Sequence, residues 1–494
     1  MDDPTNVLLV VLDSARARNM SLYGYERETT PFLTEFAERS TLYTQARSPG
    51  IHSIASHVSM FTGEHVEEHE ALHHTAQIDP EQSIWTELHG EFDYATGLFT
   101  NNRIVSNASN LGSHFDYQFN PEYSLAKRLE NTLGNPLVER IYFRLDDAAS
   151  RLASLPASVP GVRTLGSAVG GATDRVGSLL GGKKSEHGPD DDGGFKTLYG
   201  GEFTDGFLEW ETEQDGPWAA CLNLMDTHSP YHPEPEFDRW ADEETWRLQA
   251  ERKPGVRELL DGEGWADLEA LEPLYDGTIR QADAVVRDLI ERLDERDALS
   301  NTLVIVTSDH GEAFGEQSRI DPAIRLRGHK WGVPEVLTHV PLLVKHPGQS
   351  ERAVVDEVVS LTDLPALMRA VADGSPAAAE ALLSDGPVLA STFRLPERKT
   401  KKYSSVDGVK QYVGPWRAVY ENHNGSVRKF ARHGDDAVTV DIDAAGEATV
   451  VSRDDDGRVA EVYGNLEDTD VVSEKSTEID EELEEQLEQL GYIR

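Results

Sequence analysis

Six consecutive apolar residues, Val7-Leu8-Leu9-Val10-Val11-Leu12, stop abruptly at Asp13. A run of that length without polar alternation is the pattern of a strand buried on both faces of a parallel sheet. The pattern returns at Ala95–Thr100, Ala219–Leu224, Leu303–Thr307 and Pro341–Val344. Between these runs lie stretches with helical spacing of apolar residues, such as Thr30–Arg39 and Tyr275–Leu293. The alternation predicts an α/β fold, a mainly parallel sheet flanked by helices. After about Leu395 the pattern shortens. Trp416–Tyr420, the turn Asn422-His423-Asn424-Gly425 and Ala437–Ile442 predict a small C-terminal antiparallel β subdomain. The expected organisation is a large α/β domain over residues 1–394 and a small α+β subdomain over 395–494. The latter ends in an acidic helical tail from Glu478 to Leu490, with Leu483, Leu487 and Leu490 at helix spacing.

Residues from about 124 to 194 break the rhythm. Leu165–Gly182 is rich in Gly, Ala and Ser, and Lys183–Gly194 is polar and acidic. The stretch reads as an insertion, either a lid or docking element or an excursion without a role. No run of eighteen apolar residues exists, so no transmembrane segment is expected. The acidic start and the short apolar run after it do not form a secretory signal, and the expected compartment is the cytoplasm.

Charge changes the picture of partners. With 46 basic and 89 acidic residues the formal net charge is −43. The acid is spread along the chain, which excludes nucleic acid as a natural partner because phosphates are repelled. Arginine outnumbers lysine more than twofold. Such self-repulsion is screened at molar salt, where the Debye length is about 3 Å, and the composition reads as that of a halophile working in a high-salt cytoplasm. The single cysteine, Cys221, excludes intrachain disulfides and lies in an apolar run, so it reads as a packed, inert thiol.

Ligand-binding residues of parallel sheets collect at the carboxyl ends of strands. Asp13 sits there. So does Thr307-Ser308-Asp309-His310-Gly311-Glu312, whose adjacent carboxylate and imidazole suit a divalent cation. Asp226-Thr227-His228-Ser229-Pro230-Tyr231-His232-Pro233 follows another strand; its histidines would hydrogen-bond a substrate oxygen or act as an acid, unless the loop is only a proline-stiffened surface turn. Ser53–Phe61 reads as a helix ending near Gly63. A hydroxyl at its start lies in the positive field of the helix, although a serine there is commonly an N-cap. Gly328-His329-Lys330-Trp331 offers a cation for a transferring group, or simply a solvated basic patch.

The order of these elements resembles the sulfatase family of the alkaline phosphatase superfamily. Supporting stretches include Asn6–Arg18, Leu22-Tyr23-Gly24-Tyr25 with Thr30-Pro31-Phe32-Leu33, Tyr275-Asp276-Gly277 with Ile279-Arg280, and Val340-Pro341-Leu342-Leu343-Val344. Val359-Ser360-Leu361-Thr362-Asp363-Leu364 and Leu490-Gly491-Tyr492-Ile493 are similar too. The resemblance covers about Asn6–Phe119 and Phe195–Gly374 well and the C-terminal part more loosely. The acidity matches a haloarchaeal-type member.

The resemblance implies an alkaline-phosphatase-like fold. It implies a divalent cation held by Asp13, Asp309 and His310 with Ser53 beside it, calcium in the family, with manganese, magnesium or zinc as alternatives. Ser53 falls at the nucleophile position, ten residues before Gly63, and His57 where many members carry an arginine. His228 would contact ester oxygens. Lys330, with His329, would bind the transferred group or help the leaving group. Asn101 falls near a further substrate-contacting position. Two departures stand out. The Cys/Ser-x-Pro-x-Arg motif that is converted to formylglycine reads Ser53-Ile54-Ala55-Ser56-His57 here, and the usual second acid after the first strand is Ser14. An unmodified serine nucleophile is therefore the expectation. The implied activity is metal-dependent hydrolysis of a small-molecule or glycan sulfate ester. A phosphodiesterase, phosphonate hydrolase or head-group transferase, and a non-catalytic anion-binding relative, are the alternatives.

Overall fold

Eight strands assemble into the main sheet: β1 (Asn6–Leu12), β2 (Thr41–Arg47), β3 (Ala95–Thr100), β4 (Tyr117–Gln118), β5 (Trp218–Leu224), β6 (Thr302–Thr307), β7 (Leu342–Lys345) and β8 (Ala353–Ser360). This computed structural model describes residues 4–119, 200–251, 262–375, 378–383, 386–392, 414–443 and 446–474. The spatial order is β8-β2-β7-β6-β1-β5-β3-β4. Strand β7 is antiparallel to both its neighbours, and every other pairing is parallel. Two compact units divide the chain, residues 1–118 with 203–494, and 119–202. All that follows concerns the first; the expected insertion and the acidic tail lie outside the described residues.

The opening apolar run is continuous because β1 lies inside the sheet. Val7 pairs with Ala219 on one side and Leu303 on the other, and Val7 to Val11 are wholly buried. A strand covered on both faces has no solvent side on which to place polar residues. Because β1, β3, β5 and β6 run in the same direction, the residues that follow or close them collect along one edge. Of the expected helices, Thr30–Arg39 becomes a short α-helix, Pro31–Phe36, followed by a 3-10 turn at Ala37–Arg39. The longer one extends over Glu272–Asp294 and turns Leu274, Ile279, Val286 and Ile290 inward. Cys221 is fully buried in β5, and burial pushes its thiol far above the usual range, as expected of a packed, unreactive group.

The C-terminal sheet contains β9 (Val388–Thr392), β10 (Trp416–His423), β11 (Ser426–His433), β12 (Asp436–Ile442) and β13 (Ala448–Ser452), antiparallel in chain order. Strand β11 alternates half-buried and buried residues, the period of a sheet with one covered face. Asn424 and Gly425 both take positive φ, as the tight β10–β11 hairpin requires. The buried Lys429 ammonium joins this sheet to the rest through the Val333 carbonyl and the Glu335 carboxylate, 2.8 Å away. No helix among the described residues is long and apolar enough to cross a membrane.

Buried histidines give this fold a pH dependence. His65 and His69 accept backbone amides at Nδ1, from Glu67 (3.3 Å) and Ala71 (2.9 Å), which a protonated ring cannot do. Burial lowers both to about 3, and His339 likewise to about 3. A histidine whose folded value lies below its unfolded value of about 6.5 contributes stability that is complete above 6.5 and is lost as pH falls towards the folded value. Urea denaturation should therefore show stability declining from pH 7 to pH 5. Each such ring costs about 1.4 kcal/mol per unit below about 6.5. The double variant His65→Gln, His69→Gln should flatten that slope.

Candidate active site

Asp13 directly follows β1, and its own backbone amide still donates to Leu224 of β5 (2.9 Å). The chain then turns sharply, with Ser14 at φ 65°. Tyr275 braces the turn from the long helix: its hydroxyl donates to the Ser14 carbonyl (2.8 Å) and accepts from the Arg16 amide (2.9 Å). The Asp13 side chain is completely buried. It accepts from Asn102 Nδ2 (2.8 Å), Asn223 Nδ2 (3.3 Å) and Ser14 Oγ (3.0 Å). Burial opposes its charge, but His228, His310 and His57 hold it below the usual carboxylate range.

Asp309 follows β6, the other neighbour of β1. One of its oxygens accepts the amides of Ser14 (3.1 Å) and His310 (2.9 Å). The other, Oδ2, is buried without a hydrogen-bond partner, 3.4 Å from His310 Nε2 and 3.8 Å from His57 Nδ1. Burial and the charge of Asp13 push Asp309 upwards. His310 Nδ1 donates to the Gly311 carbonyl (2.9 Å), which leaves Nε2 as the lone-pair nitrogen, and that atom also lacks a hydrogen-bond partner. Ligand atoms of Asp13, Asp309 and His310 lie within 4.8 Å of one another. Two adjacent buried carboxylates, an unpartnered oxygen and an imidazole lone pair fit a divalent cation, and they are costly to bury without one.

Ser53 opens the helix Ser53–Thr62, which closes on Gly63 at φ +86°. The N-cap residue is His52, so Ser53 does not cap. Its Oγ is buried without a hydrogen-bond partner. One turn further, His57 sets Nδ1 2.8 Å from the Ser53 carbonyl and Nε2 3.2 Å from Asn223 Oδ1. Asn223 thus bridges two elements: its amide nitrogen serves Asp13 and its oxygen faces His57. Both ring nitrogens of His57 face acceptors, an arrangement an arginine guanidinium would also satisfy. Ser48 adds a second tie, donating to the Asp309 carbonyl and lying 3.1 Å from Ser56 Oγ on this helix.

Three further histidines surround the trio. The His329 ring lies 4.5 Å from His310, 5.6 Å from His228 and 6.0 Å from His52, centroid to centroid. Burial lowers His228, and lowers His329 strongly. Lys330 is half-buried, and its charge acts on Glu312 and His329. His232, from the same loop as His228, faces Trp246 instead. Asp13, Ser53, His57, His228, Asp309, His310 and His329 therefore belong to one neighbourhood. Asn101 is half-buried, and it is the next residue, Asn102, whose side chain holds Asp13. Asn102, Asn223 and Glu312 escaped the sequence reading. Only Asn223 carried a signal, a polar residue inside the otherwise apolar Ala219–Leu224.

Fold and trio together define an alkaline-phosphatase-like α/β protein with a donor set of the divalent-metal type. The chain belongs to the sulfatase family, whose model matches residues 5–374. It is 33% identical over 110 residues to arylsulfatase K of Canis lupus familiaris, a stretch covering 22% of this chain and 19% of that protein. It is 26% identical over 168 residues to an arylsulfatase of Clostridium perfringens (strain 13 / Type A), covering 30% and 32%. The matched stretches thus span about a fifth to a third of these relatives. In fold it is similar to the phosphonate monoester hydrolase of Agrobacterium radiobacter, with TM-score 0.57, 18% identity and 93% of each chain covered. The enzyme SpPMH from Silicibacter pomeroyi is alike at TM-score 0.57 and 15% identity, with 94% of each chain covered.

Asn102→Ala removes the shortest hydrogen bond to the Asp13 carboxylate and should weaken divalent-metal binding about 10- to 100-fold, measured by chelator competition, with the fold intact by circular dichroism.

Proposed function

We propose that this chain hydrolyses sulfate esters with Ser53 as nucleophile, assisted by a divalent cation on Asp13, Asp309 and His310. The observation that carries the reading is a set of three buried, unsatisfied side-chain atoms. Asp309 Oδ2 and His310 Nε2 are buried without hydrogen-bond partners and would hold a cation, and the unbonded Ser53 Oγ begins a helix tied to Asp309 through His57 and Ser48. A cation held there would supply positive charge that acidifies a nearby hydroxyl and polarises the ester. Ser53 Oγ bonds to sulfur as the bond from sulfur to the ester oxygen breaks. The Ser53 proton passes to His228 or His329, which burial keeps neutral and able to accept it, and from that ring to the departing oxygen, which leaves as the alcohol. Water then displaces the anion from Ser53 and restores the hydroxyl. The amides at the start of the Ser53 helix and the Lys330 ammonium share the charge that grows on the transferred group, the largest source of rate in such sites. Asn101 would contact the substrate beyond that group.

The donors support a transition metal such as zinc or manganese over calcium. Calcium takes about six to eight oxygens. Here one donor is an imidazole, Ser14 stands where a second acid is usual, and the amides of Asn102 and Asn223 turn their nitrogens to Asp13. Ser14 and the absent proline and arginine around Ser53 also favour a second reading, an unmodified serine acting on phosphate esters or phosphonates. The net charge of −43 supports function at high salt, where it is screened.

Asp309→Ala should abolish turnover of 4-nitrophenyl sulfate and lower bound metal; unchanged turnover sinks the assignment. Faster turnover of 4-nitrophenyl phosphate than of the sulfate by the wild-type protein would select the phosphate reading. Mass spectrometry of the peptide containing Ser53 should find serine, and formylglycine there would replace the alkoxide mechanism. A protein purified without chelator that holds no metal and turns over neither ester is a binding relative.

A further inference from the structure

Glu312 has no place in the proposed mechanism, yet it is buried against the site, with 3% of its surface exposed. Its Oε2 lies 3.3 Å from His329 Nδ1. Several features build that contact. Gly311 lets the Val336 backbone approach closely between the metal-type residues and Glu312: a Cβ there would lie 2.0 Å from the Val336 carbonyl oxygen. Beyond it, Ala313 and Gly328 exchange backbone hydrogen bonds in both directions, at 3.0 and 2.8 Å, which brings residue 312 alongside residue 329. Gly328 has φ +50°, and a Cβ there would sit 2.9 Å from Glu312 Oε1, so glycine leaves the room that the carboxylate occupies. Arg16, itself buried, fixes the Glu312 carbonyl from the other side through Nη1 (3.1 Å).

We infer that Glu312 is a positioning residue for His329, holding the ring by Nδ1 so that Nε2 is the nitrogen left for the substrate. The nitrogen that an imidazole offers is set by the hydrogen bond the other one makes. The ring so held lies tilted against His310 and His228, at 4.5 and 5.6 Å between centroids, beside the trio. Without Glu312 the ring is free to rotate about its χ angles or to change tautomer, and Nε2 no longer presents to the substrate the lone pair that takes up the reacting proton and relays it to the leaving oxygen. This inference rests on the hydrolase reading, because it assigns His329 a substrate contact.

The test is a double-mutant cycle on the full metal-loaded chain. Glu312→Ala should lower kcat/KM for the better aryl ester about 10- to 100-fold, the range for partners that orient a functional imidazole. Bound metal should be unchanged. Glu312→Gln, whose amide oxygen still accepts from Nδ1, should recover most of that loss. Glu312→Ala combined with His329→Ala should be no slower than His329→Ala alone, since residues acting through one contact are not additive. The same cycle, read in tungstate affinity by calorimetry, needs no turnover. Losses that multiply in the double variant, or wild-type behaviour of Glu312→Ala, overturn the assignment. If Glu312→Ala does not fold, Glu312→Asp, whose shorter side chain withdraws the carboxylate from Nδ1, replaces it in the cycle: a loss that disappears in the His329→Ala background supports the assignment, and a multiplicative loss overturns it. Wild-type protein that turns over neither sulfate nor phosphate ester defeats the hydrolase reading instead, leaving the tungstate cycle to decide Glu312.

Discussion

Two carboxylates, Asp13 and Asp309, are buried side by side at the edge of the sheet, and much of the local structure answers that one constraint. A buried charge costs several kcal/mol unless it is paired or hydrogen-bonded. The protein supplies amide nitrogens from Asn102 and Asn223, a hydroxyl from Ser14 and two backbone amides. It brings His57 and His310 within 4 Å of Asp309 Oδ2 without bonding that oxygen. The neutralisation is left incomplete at Oδ2, the side that the proposed cation would occupy.

The same constraint explains why neighbouring elements are stiff. The turn after Asp13 is left-handed at Ser14, a conformation that non-glycine residues rarely adopt, and Tyr275 holds both flanking backbone groups. Arg16, wholly buried, is engaged by Glu272, Glu316, Asn19 and the Glu312 carbonyl, and its guanidinium lies 4.9 Å from the Phe314 ring centroid. A second layer of charged pairs thus braces the loops that carry the acids. Function and stability meet here: the groups that orient the site also hold β1, β6 and the long helix together.

The helix bearing Ser53 is positioned through His57 and Ser48 rather than by a cap of its own. That leaves the Ser53 hydroxyl uncommitted in the positive field of the helix start. The bridge through Asn223 links this helix to Asp13 as well. Acid, hydroxyl and imidazole are therefore coupled through one strand residue, and a change at Asn223 disturbs both halves of the site.

Periodicity by itself determined the class of fold. Continuous apolar runs cannot face water, so the central parallel strands and the later alternating hairpins were legible without coordinates. The polar residues that terminate those runs, Asp13, Asp309 and His310, were legible for the same reason: parallel strands end on one edge. Tertiary structure alone decided the rest. Asn102 rather than Asn101 reaches Asp13, a one-residue matter of how the chain leaves β3. The Ser53 hydroxyl proved not to be a cap, because His52 takes that position. Glu312 meets His329 only because two glycines let distant segments pair. Such contacts depend on side-chain direction and close backbone approach between residues far apart in the chain, which a pattern along one strand or helix does not encode.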